Sequence, residues 1–465
     1  MVDISDRKIA IVRTLVETAP DRIVDGLQRA LSESGGDSVL AKVRQLVDAE
    51  AEDRLLRNAV FQPVTPLFVG DGCHAHSLTF PARALSLLWR GLKAQAPDQV
   101  AAAIKASASI AVAVANEQRP TDPTEAFDAL LTTAAGALRA SDHRDLRTAA
   151  ALCDAARPGG AEALAACLDI AHQVRRTLPR LSDWVARPGE ETGAAARLAY
   201  KDTVAVAEDA GPRFFEMLAG QLTPPWMVLR IISSIMDKPT ERYLSESELG
   251  GFPERVMAAI DEALTAIGNL DLDSGPKAGR VAGQRVELIT QQIFELEVCI
   301  ELTRESGWGK RIFGQKKTLA GLAEARLRDV EKLVGEALPM ESSAMRRPRK
   351  NGPKLDVSPD PKATVRAITA LTFAHEIRLC ANYGGFSAAH SKAVEKLLSM
   401  ISGYVDEVLD HLRTGDVQDV AIAHAYLMVA ADAATLVQDE KAGDLIRRRA
   451  ATACKPSDNT ITLDA

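Results

Sequence analysis

The chain has 465 residues, of which 46% are hydrophobic and 26% charged, and this is the composition of a folded protein rather than of a disordered one. Its length exceeds what one hydrophobic core usually supports, so we expect two or three domains or one extended helical array. The formal net charge of −7 argues against a uniformly basic nucleic-acid binder. Aromatic residues make up only 4%, while Ala and Leu dominate, and this mixture favours helices over sheets.

Apolar residues recur at helical spacing from the beginning of the chain. Ile9, Val12 and Val16 follow one another at intervals of three or four residues, which predicts an amphipathic helix, and similar patterns fill most of the sequence. The pattern breaks over residues 61–80, which are rich in Pro and Gly. Within this segment the short apolar run 67–69 is the one candidate strand. The sequence therefore predicts an all-α fold, built as multi-helix bundle domains or as a helical-hairpin array, with at most one short strand near 67–69.

The helical patterns and the Pro- and Gly-rich breaks divide the chain into segments. In chain order these are N-terminal helices over 1–60, an irregular loop over 61–80, a helical bundle over 81–220, a helical region with a long hairpin over 221–340, a basic, proline-containing linker over 341–361, a C-terminal helical bundle over 362–453 and a flexible tail over 454–465. The linker is predicted to join separately packed bundles, because it is charged and poor in apolar residues.

A weak internal repeat relates the two long hairpins in the second half of the chain. At an offset of 79 residues, six positions carry matching residues. They are Val286, Ile289, Thr290, Phe294, Glu297 and Val298, matched by Val365, Ile368, Thr369, Phe373, Glu376 and Ile377. A duplicated helical hairpin would explain the match, and so would chance, because amphipathic helices resemble one another.

The most unusual short motif is the loop that contains Cys73, His74 and His76. A thiol and two imidazoles within four residues could bind zinc or another transition metal, although the sequence nominates no further ligand. The same loop contains G-x-G-x-x-A, but no second strand follows nearby, so a dinucleotide-binding turn is not supported. The loop is interpreted as structural, with a metal or catalytic site as the alternative. The six cysteines form no C-x-x-C pair and are expected to be small buried hydrophobes.

A basic segment extends from Arg304 to Lys354. It contains 13 Lys and Arg against 6 Asp and Glu, a net +7, so the rest of the chain carries −14. It resembles a phosphate-binding loop near Gly309 but has Gln315 where that motif needs a lysine. The candidate partner-binding residues are Lys310, Arg311, Lys316, Lys317, Arg346, Arg347, Arg349 and Lys350. A charge separation of this size favours electrostatic docking of an acidic protein.

The leading functional hypothesis is a cytoplasmic, non-enzymatic helical scaffold or adaptor that docks an acidic partner through residues 304–354. One alternative is a metal-dependent enzyme that uses the Cys73/His74/His76 loop. Another is association with an anionic membrane or nucleic acid through the basic segment. A homo-oligomer would also be compatible with the amphipathic helices. The cytoplasmic assignment follows from the N-terminus, which has no apolar signal region, and from uncharged stretches such as Val420–Ala431, which are shorter than the roughly 18 residues of a membrane span.

Overall fold

The computed structural model describes residues 6–33, 38–70, 78–115, 124–186, 189–207, 209–305, 307–341 and 352–454. Within these residues the fold is all-α, as the sequence predicts. The chain divides into two compact units, unit 1 over residues 1–238 and unit 2 over residues 239–465.

Unit 1 is built almost entirely from helices. Its helices are α1 (Asp6–Thr18), α2 (Asp21–Glu33), α3 (Ser38–Val60), α4 (Ala82–Gln95), α5 (Pro97–Ala115), α6 (Thr124–Ala140), α7 (Arg144–Ala156), α8 (Gly160–Ala186), α9 (Glu190–Val204), α10 (Ala210–Gly220) and α11 (Val228–Ile235). The longest, α8, packs against α6, α7, α9 and α10. It buries an apolar stripe at helical spacing that includes Leu164, Leu168 and Ala171.

Arg175 of α8 forms hydrogen bonds to α3 and α6 and so links three helices of unit 1. Its guanidinium donates to the carbonyl oxygens of Ala59 and Val60 at the end of α3, at 3.0 and 2.5 Å, and to Asp128 of α6 at 3.0 Å. The last carbonyl groups of a helix have no partner within the helix, so this contact closes the C-terminus of α3. Burial lowers the pKa of Arg175, and the Asp128 carboxylate opposes that effect.

The predicted strand near 67–69 is present and has a partner that the sequence analysis did not anticipate. Strand β1 (Phe68–Val69) pairs in parallel with β2 (Phe80–Pro81), with Phe68 opposite Phe80 and Val69 opposite Pro81. The expectation of at most one strand was therefore too low. A two-residue strand that ends in proline has no alternating pattern from which it could be predicted.

Unit 2 begins with a short helix and continues with long ones. Its helices are α12 (Glu241–Ser245), α13 (Gly251–Gly268), α14 (Pro276–Cys299), α15 (Gly307–Ala337), α16 (Pro361–Glu376), α17 (Ser387–Thr414), α18 (Val420–Val437) and α19 (Glu440–Ala453). Helix α16 packs against both α14 and α15. Two glycines of α14 allow this close approach, because a Cβ atom at Gly279 would lie 2.2 Å from the carbonyl oxygen of Thr369 and one at Gly283 would lie 2.4 Å from the Cβ of Glu376.

The predicted linker 341–361 does not separate two bundles. Gly352 and Lys354 pair with the residues at its start, since the amide of Glu341 donates to the carbonyl of Gly352 at 2.8 Å and the amide of Lys354 donates to that of Pro339 at 3.0 Å. The helices on both sides belong to unit 2, and the division between units lies instead after Lys238. Proline and charge mark an exposed connection, but they carry no information about whether the flanking helices pack together.

The two hairpins of the internal repeat share their order and part of their local geometry. Thr290 and Thr369 each donate to the carbonyl oxygen four residues earlier at 2.7 Å. The environments differ elsewhere, because Phe294 is 47% exposed while its counterpart Phe373 is 1% exposed. Thr290 and Thr369 therefore share a local hydrogen bond, whereas Phe294 and Phe373 have different packing environments.

Among the described residues, one helix, α18, is long and apolar enough to cross a membrane. It is longer than the uncharged stretch Val420–Ala431 because it continues past Asp432, which pairs with Arg447 of α19 at 2.7 Å. In unit 2 it packs against α16, α17 and α19 and buries Tyr426 and Leu427. A core helix of a helical bundle has this composition as well.

Candidate functional site

The structure places half of the predicted basic residues on one helix. Lys310, Arg311, Lys316 and Lys317 occupy the first turns of α15. The other four candidates lie outside the described residues, namely Arg346, Arg347, Arg349 and Lys350. The predicted metal ligands Cys73, His74 and His76 also lie outside them. Within the described part of the chain, no group of three or more His, Cys, Asp or Glu side chains is arranged to hold a metal ion.

The N-terminus of α15 is closed by a carboxylate from the start of unit 2. Glu241 of α12 accepts hydrogen bonds from the backbone amides of Trp308 and Gly309, at 2.5 and 3.2 Å, and from that of Thr303 at 3.3 Å. The indole N–H of Trp308 donates to Glu254 of α13. The first amides of a helix lack partners within the helix and carry partial positive charge, so an acidic side chain stabilises this end.

Arg311 forms ion pairs with two carboxylates of the neighbouring helix α13. Its guanidinium donates to Glu254 and to Asp261, both on α13, at 2.8 Å each. The hydrogen bond that Arg311 donates to the Asp261 carboxylate holds the pKa of Arg311 above its ordinary value. Gln315, one turn later, donates to Asp261 at 2.7 Å and to the carbonyl oxygen of Met257 at 2.8 Å. This side of α15 therefore fastens the helix to α13.

Lys316 is engaged on the opposite side, against α14. Its ammonium group lies 3.3 Å from Glu297 and 4.2 Å from the centre of the Tyr383 ring. The Tyr383 hydroxyl donates to the same carboxylate, and its ring packs edge-on against Phe294 with centroids 5.4 Å apart. Burial raises the pKa of Tyr383, and the neighbouring Glu297 raises it further. Lys316 thus belongs to a polar cluster within unit 2.

Lys310 and Lys317 differ from their two neighbours. Both are exposed, and no carboxylate of the described residues pairs with either of them. Phe313 lies between them and is 55% exposed. Gly314 and Gly321 on the same side of the helix have open space where a Cβ would be. We call Lys310, Phe313, Gly314, Lys317 and Gly321 the basic face.

Unit 1 contains a second candidate site, which is not predicted from the sequence. A cavity of about 970 Å³ is lined by five arginines, Arg22, Arg54, Arg57, Arg83 and Arg90, and by two carboxylates, Glu17 and Asp21. We call it the arginine cavity. The lining comes from the end of α1 and the start of α2, from α3, from residues 65–70 and from α4 as far as Arg90. Residues 71–77, which carry the predicted metal ligands, follow Gly70 in the sequence and lie outside the described residues.

The arginine cavity gives only a faint signal in the sequence. Arg54 and Arg57 are three residues apart on α3, and Arg83 and Arg90 are seven apart on α4, so each pair shares one side of its helix. No stretch around them has an excess of positive charge comparable to residues 304–354. The cluster forms only because three distant segments come together.

We compared the chain with protein-family models, with curated proteins and with solved structures, and none of them matches it.

Proposed function

We propose that the protein is a non-enzymatic helical adaptor that docks an acidic protein partner on the basic face of α15. The observation that supports this most directly is the contrast within one helix. Carboxylates of unit 2 engage Arg311 and Lys316, whereas Lys310 and Lys317 have no acidic partner among the described residues. The proposed docking surface is therefore the basic face alone, which is smaller than the whole segment 304–354.

The placement of these lysines is unfavourable for the isolated helix. Residues 306–323 contain no acidic side chain, so the N-terminal half of α15 carries only positive charge. Cations near a helix N-terminus are disfavoured, each by about 0.3–1 kcal/mol, because they face the positive end of the helix dipole. This cost applies to Lys310 in the first turn of α15, whereas Lys317 lies ten residues from the start of the helix, beyond the reach of the dipole. Neither lysine gains an acidic partner from folding, and an acidic protein would compensate for the two charges that the described carboxylates leave unpaired.

The shape of the basic face suits a second helix or an extended acidic segment. Phe313 offers an exposed apolar ring, and the missing side chains of Gly314 and Gly321 leave the backbone open to close approach. Charged rims mainly accelerate association, whereas a buried aromatic ring supplies much of the binding energy. We expect the lysines to steer the partner and Phe313 to anchor it.

The test uses the full-length tagged protein, purified from its own cells with its partners identified by mass spectrometry. The variant Lys310→Glu/Lys317→Glu is compared with Lys362→Glu/Lys392→Glu, which makes the same charge change at two exposed lysines of unit 2. We expect a stoichiometric partner with an acidic surface, whose association at low salt slows at least about tenfold in the first variant and less than about twofold in the second.

Three outcomes would contradict the proposal. The first is equal recovery of the partner by both variants, and the second is association that does not weaken as salt is raised. The third is binding to anionic phospholipid vesicles or to nucleic acid that depends on Lys310 and Lys317 while no protein partner is found. That result would support one of the alternative functions of the basic segment.

A further inference from the structure

The floor of the arginine cavity is formed by two buried arginines of α3. The side chains of Arg54 and Arg57 are only 8% and 7% exposed. Charged groups are rarely buried to this degree unless they are paired, and both arginines share the Asp21 carboxylate, at 2.5 Å from Arg54 and 3.1 Å from Arg57. Two positive charges are therefore buried side by side at the floor of this cavity, with one carboxylate shared between them.

The two buried arginines are not equally satisfied by charge. Arg54 has a second carboxylate, Glu50, at 2.7 Å and also donates to the carbonyl oxygens of Val16 and Ala19, each at 2.9 Å. Arg57 has only the shared Asp21, and its other contacts are neutral oxygens of Ser86 and Asn58. The charge of Arg54 is thus neutralised by contacts within unit 1, whereas the charge of Arg57 is only partly neutralised by the shared Asp21.

The rim of the cavity carries further positive charge. Arg22 and Arg83 are exposed, and no carboxylate of the described residues pairs with them. Arg83 sits in the first turn of α4, a helix that has Pro81 before it, no side-chain cap and no acidic residue in its first turn. The amides at this end of α4 and the Arg83 guanidinium together favour an anion at the cavity wall formed by Ala82 and Arg83.

The remaining lining and the size of the cavity restrict the kind of anion. Its volume of about 970 Å³ lies at the upper end of small-molecule sites and would leave most of the space open around inorganic phosphate. Phe68, Leu85 and Leu87 supply apolar surface in the same cavity. Guanidinium groups match the geometry of phosphate oxygens, with which they form paired hydrogen bonds.

We infer that the arginine cavity binds an organic phosphate, with the phosphate group between Arg57, Arg83 and the start of α4 and the organic body against Phe68 and Leu87. This site is independent of the basic face in unit 2. It adds a small-molecule ligand to the proposed adaptor, and either proposal can fail without the other.

The test is isothermal titration calorimetry on the full-length protein at low salt. The probes are AMP, glucose 6-phosphate and phenyl phosphate, with inorganic phosphate and citrate as comparators. We expect at least one of the three phosphate esters to bind with a Kd below about 1 mM, and at least about tenfold more tightly than inorganic phosphate and citrate. The variant Arg83→Ala should weaken that binding at least about tenfold, because it removes a charge-assisted contact.

The control variant is Arg147→Ala, which removes an exposed arginine of α7 that does not line the cavity. Its affinity should match that of the unmodified protein, and circular dichroism should show the same helix content for both variants. Failure of all three esters to bind would overturn the inference, and so would equal affinity in the two variants. Tighter binding of citrate than of any ester would also overturn it and would indicate a carboxylate ligand. Tighter binding of inorganic phosphate than of any ester would overturn the part of the inference that places an organic group against Phe68 and Leu87.

Discussion

The two positively charged regions of this protein are organised in opposite ways. In unit 1, arginines from distant segments converge on one cavity, and two of them are almost completely buried. In unit 2, cations that are adjacent in sequence spread around one helix, so that two are held by α13 and α14 and two face outward. Sequence clustering of charge therefore does not measure how much charge is available at a surface.

The difference follows from helix geometry. Successive residues of a helix point about 100° apart, so a basic run such as Lys316–Lys317 cannot keep all its charges on one side. Residues three, four or seven apart do share a side, as Arg54 and Arg57 or Lys310 and Lys317 do. Three predictions test the contrast between the units.

Of the single substitutions compared at neutral pH, Arg54→Leu in unit 1 is expected to have the largest effect. The substitution leaves the largely buried Glu50 without its arginine partner, leaves Asp21 with Arg57 alone, and removes the contacts to the carbonyls of Val16 and Ala19. Removing one partner of a buried ion pair lowers the free energy of unfolding by about 3–5 kcal/mol, and we expect the lower end of that range because the Asp21 side chain is 57% exposed. Urea unfolding followed by circular dichroism measures the change, with Arg147→Ala expected to stay within about 0.5 kcal/mol of the unmodified protein. Equal stability of both variants would mean that the buried arginines are not structural.

Alkaline pH should destabilise unit 1 through its buried thiols. Burial raises the pKa of Cys153 and of Cys167 from an ordinary value near 9.0 to about 12. Above pH 9 the unfolded chain loses these protons while the folded chain keeps them, so the free energy of unfolding falls as pH rises from 9 to 12 and is unaffected below 9. The slope is about 1.4 kcal/mol per pH unit for each thiol.

The check on this prediction is the pH dependence of unfolding in Cys153→Ala/Cys167→Ala. The double variant should be less stable at neutral pH because it loses buried volume, but its stability should decline less steeply between pH 9 and 11. A slope identical to that of the unmodified protein would show that other groups cause the alkaline loss.

The smallest change in stability is expected when Arg311 and its neighbour Lys310, both on α15, are replaced one at a time. Arg311→Ala should lower the free energy of unfolding by about 0.5–1 kcal/mol, because partly exposed ion pairs contribute little. Lys310→Ala should raise the free energy of unfolding by about 0.3 kcal/mol, because it removes a cation near the helix N-terminus. Thermal unfolding at low salt compares the two. Equal destabilisation by both would contradict the assignment of Lys310 to a free surface.

The fold class could be predicted from the sequence, and much of the detail could not. Helical periodicity is a local property, so the helices of both units are visible in the spacing of residues such as Ile9, Val12 and Val16. The cysteine interpretation is confirmed for Cys153, Cys167, Cys299 and Cys380, which are buried. The pairing of Phe80 with Phe68 and the return of the 341–361 segment into unit 2 depend on contacts between distant residues, and no local pattern reports them.

The candidate sites show the same limit. The excess of positive charge on α15 is a sequence property, but the partners of Arg311 are 57 and 50 residues away, so its pairing could not be read from the sequence. The arginine cavity was missed because Arg22, Arg54, Arg57 and Arg83 come from three helices whose meeting is a tertiary event. Charges that are paired within the fold and charges that are not look identical in a sequence.

The carboxylate of Glu241 has a practical consequence for dividing the protein. It lies two residues after the start of unit 2, and the backbone around it is also joined to Glu301, which exchanges hydrogen bonds with Pro239 and Glu241. A fragment that begins at α13 would retain every residue of α15 but would leave the amides of Trp308 and Gly309 without their acceptor. Any separately expressed form of unit 2 must therefore start at or before Pro239, even though those first residues belong to no long helix.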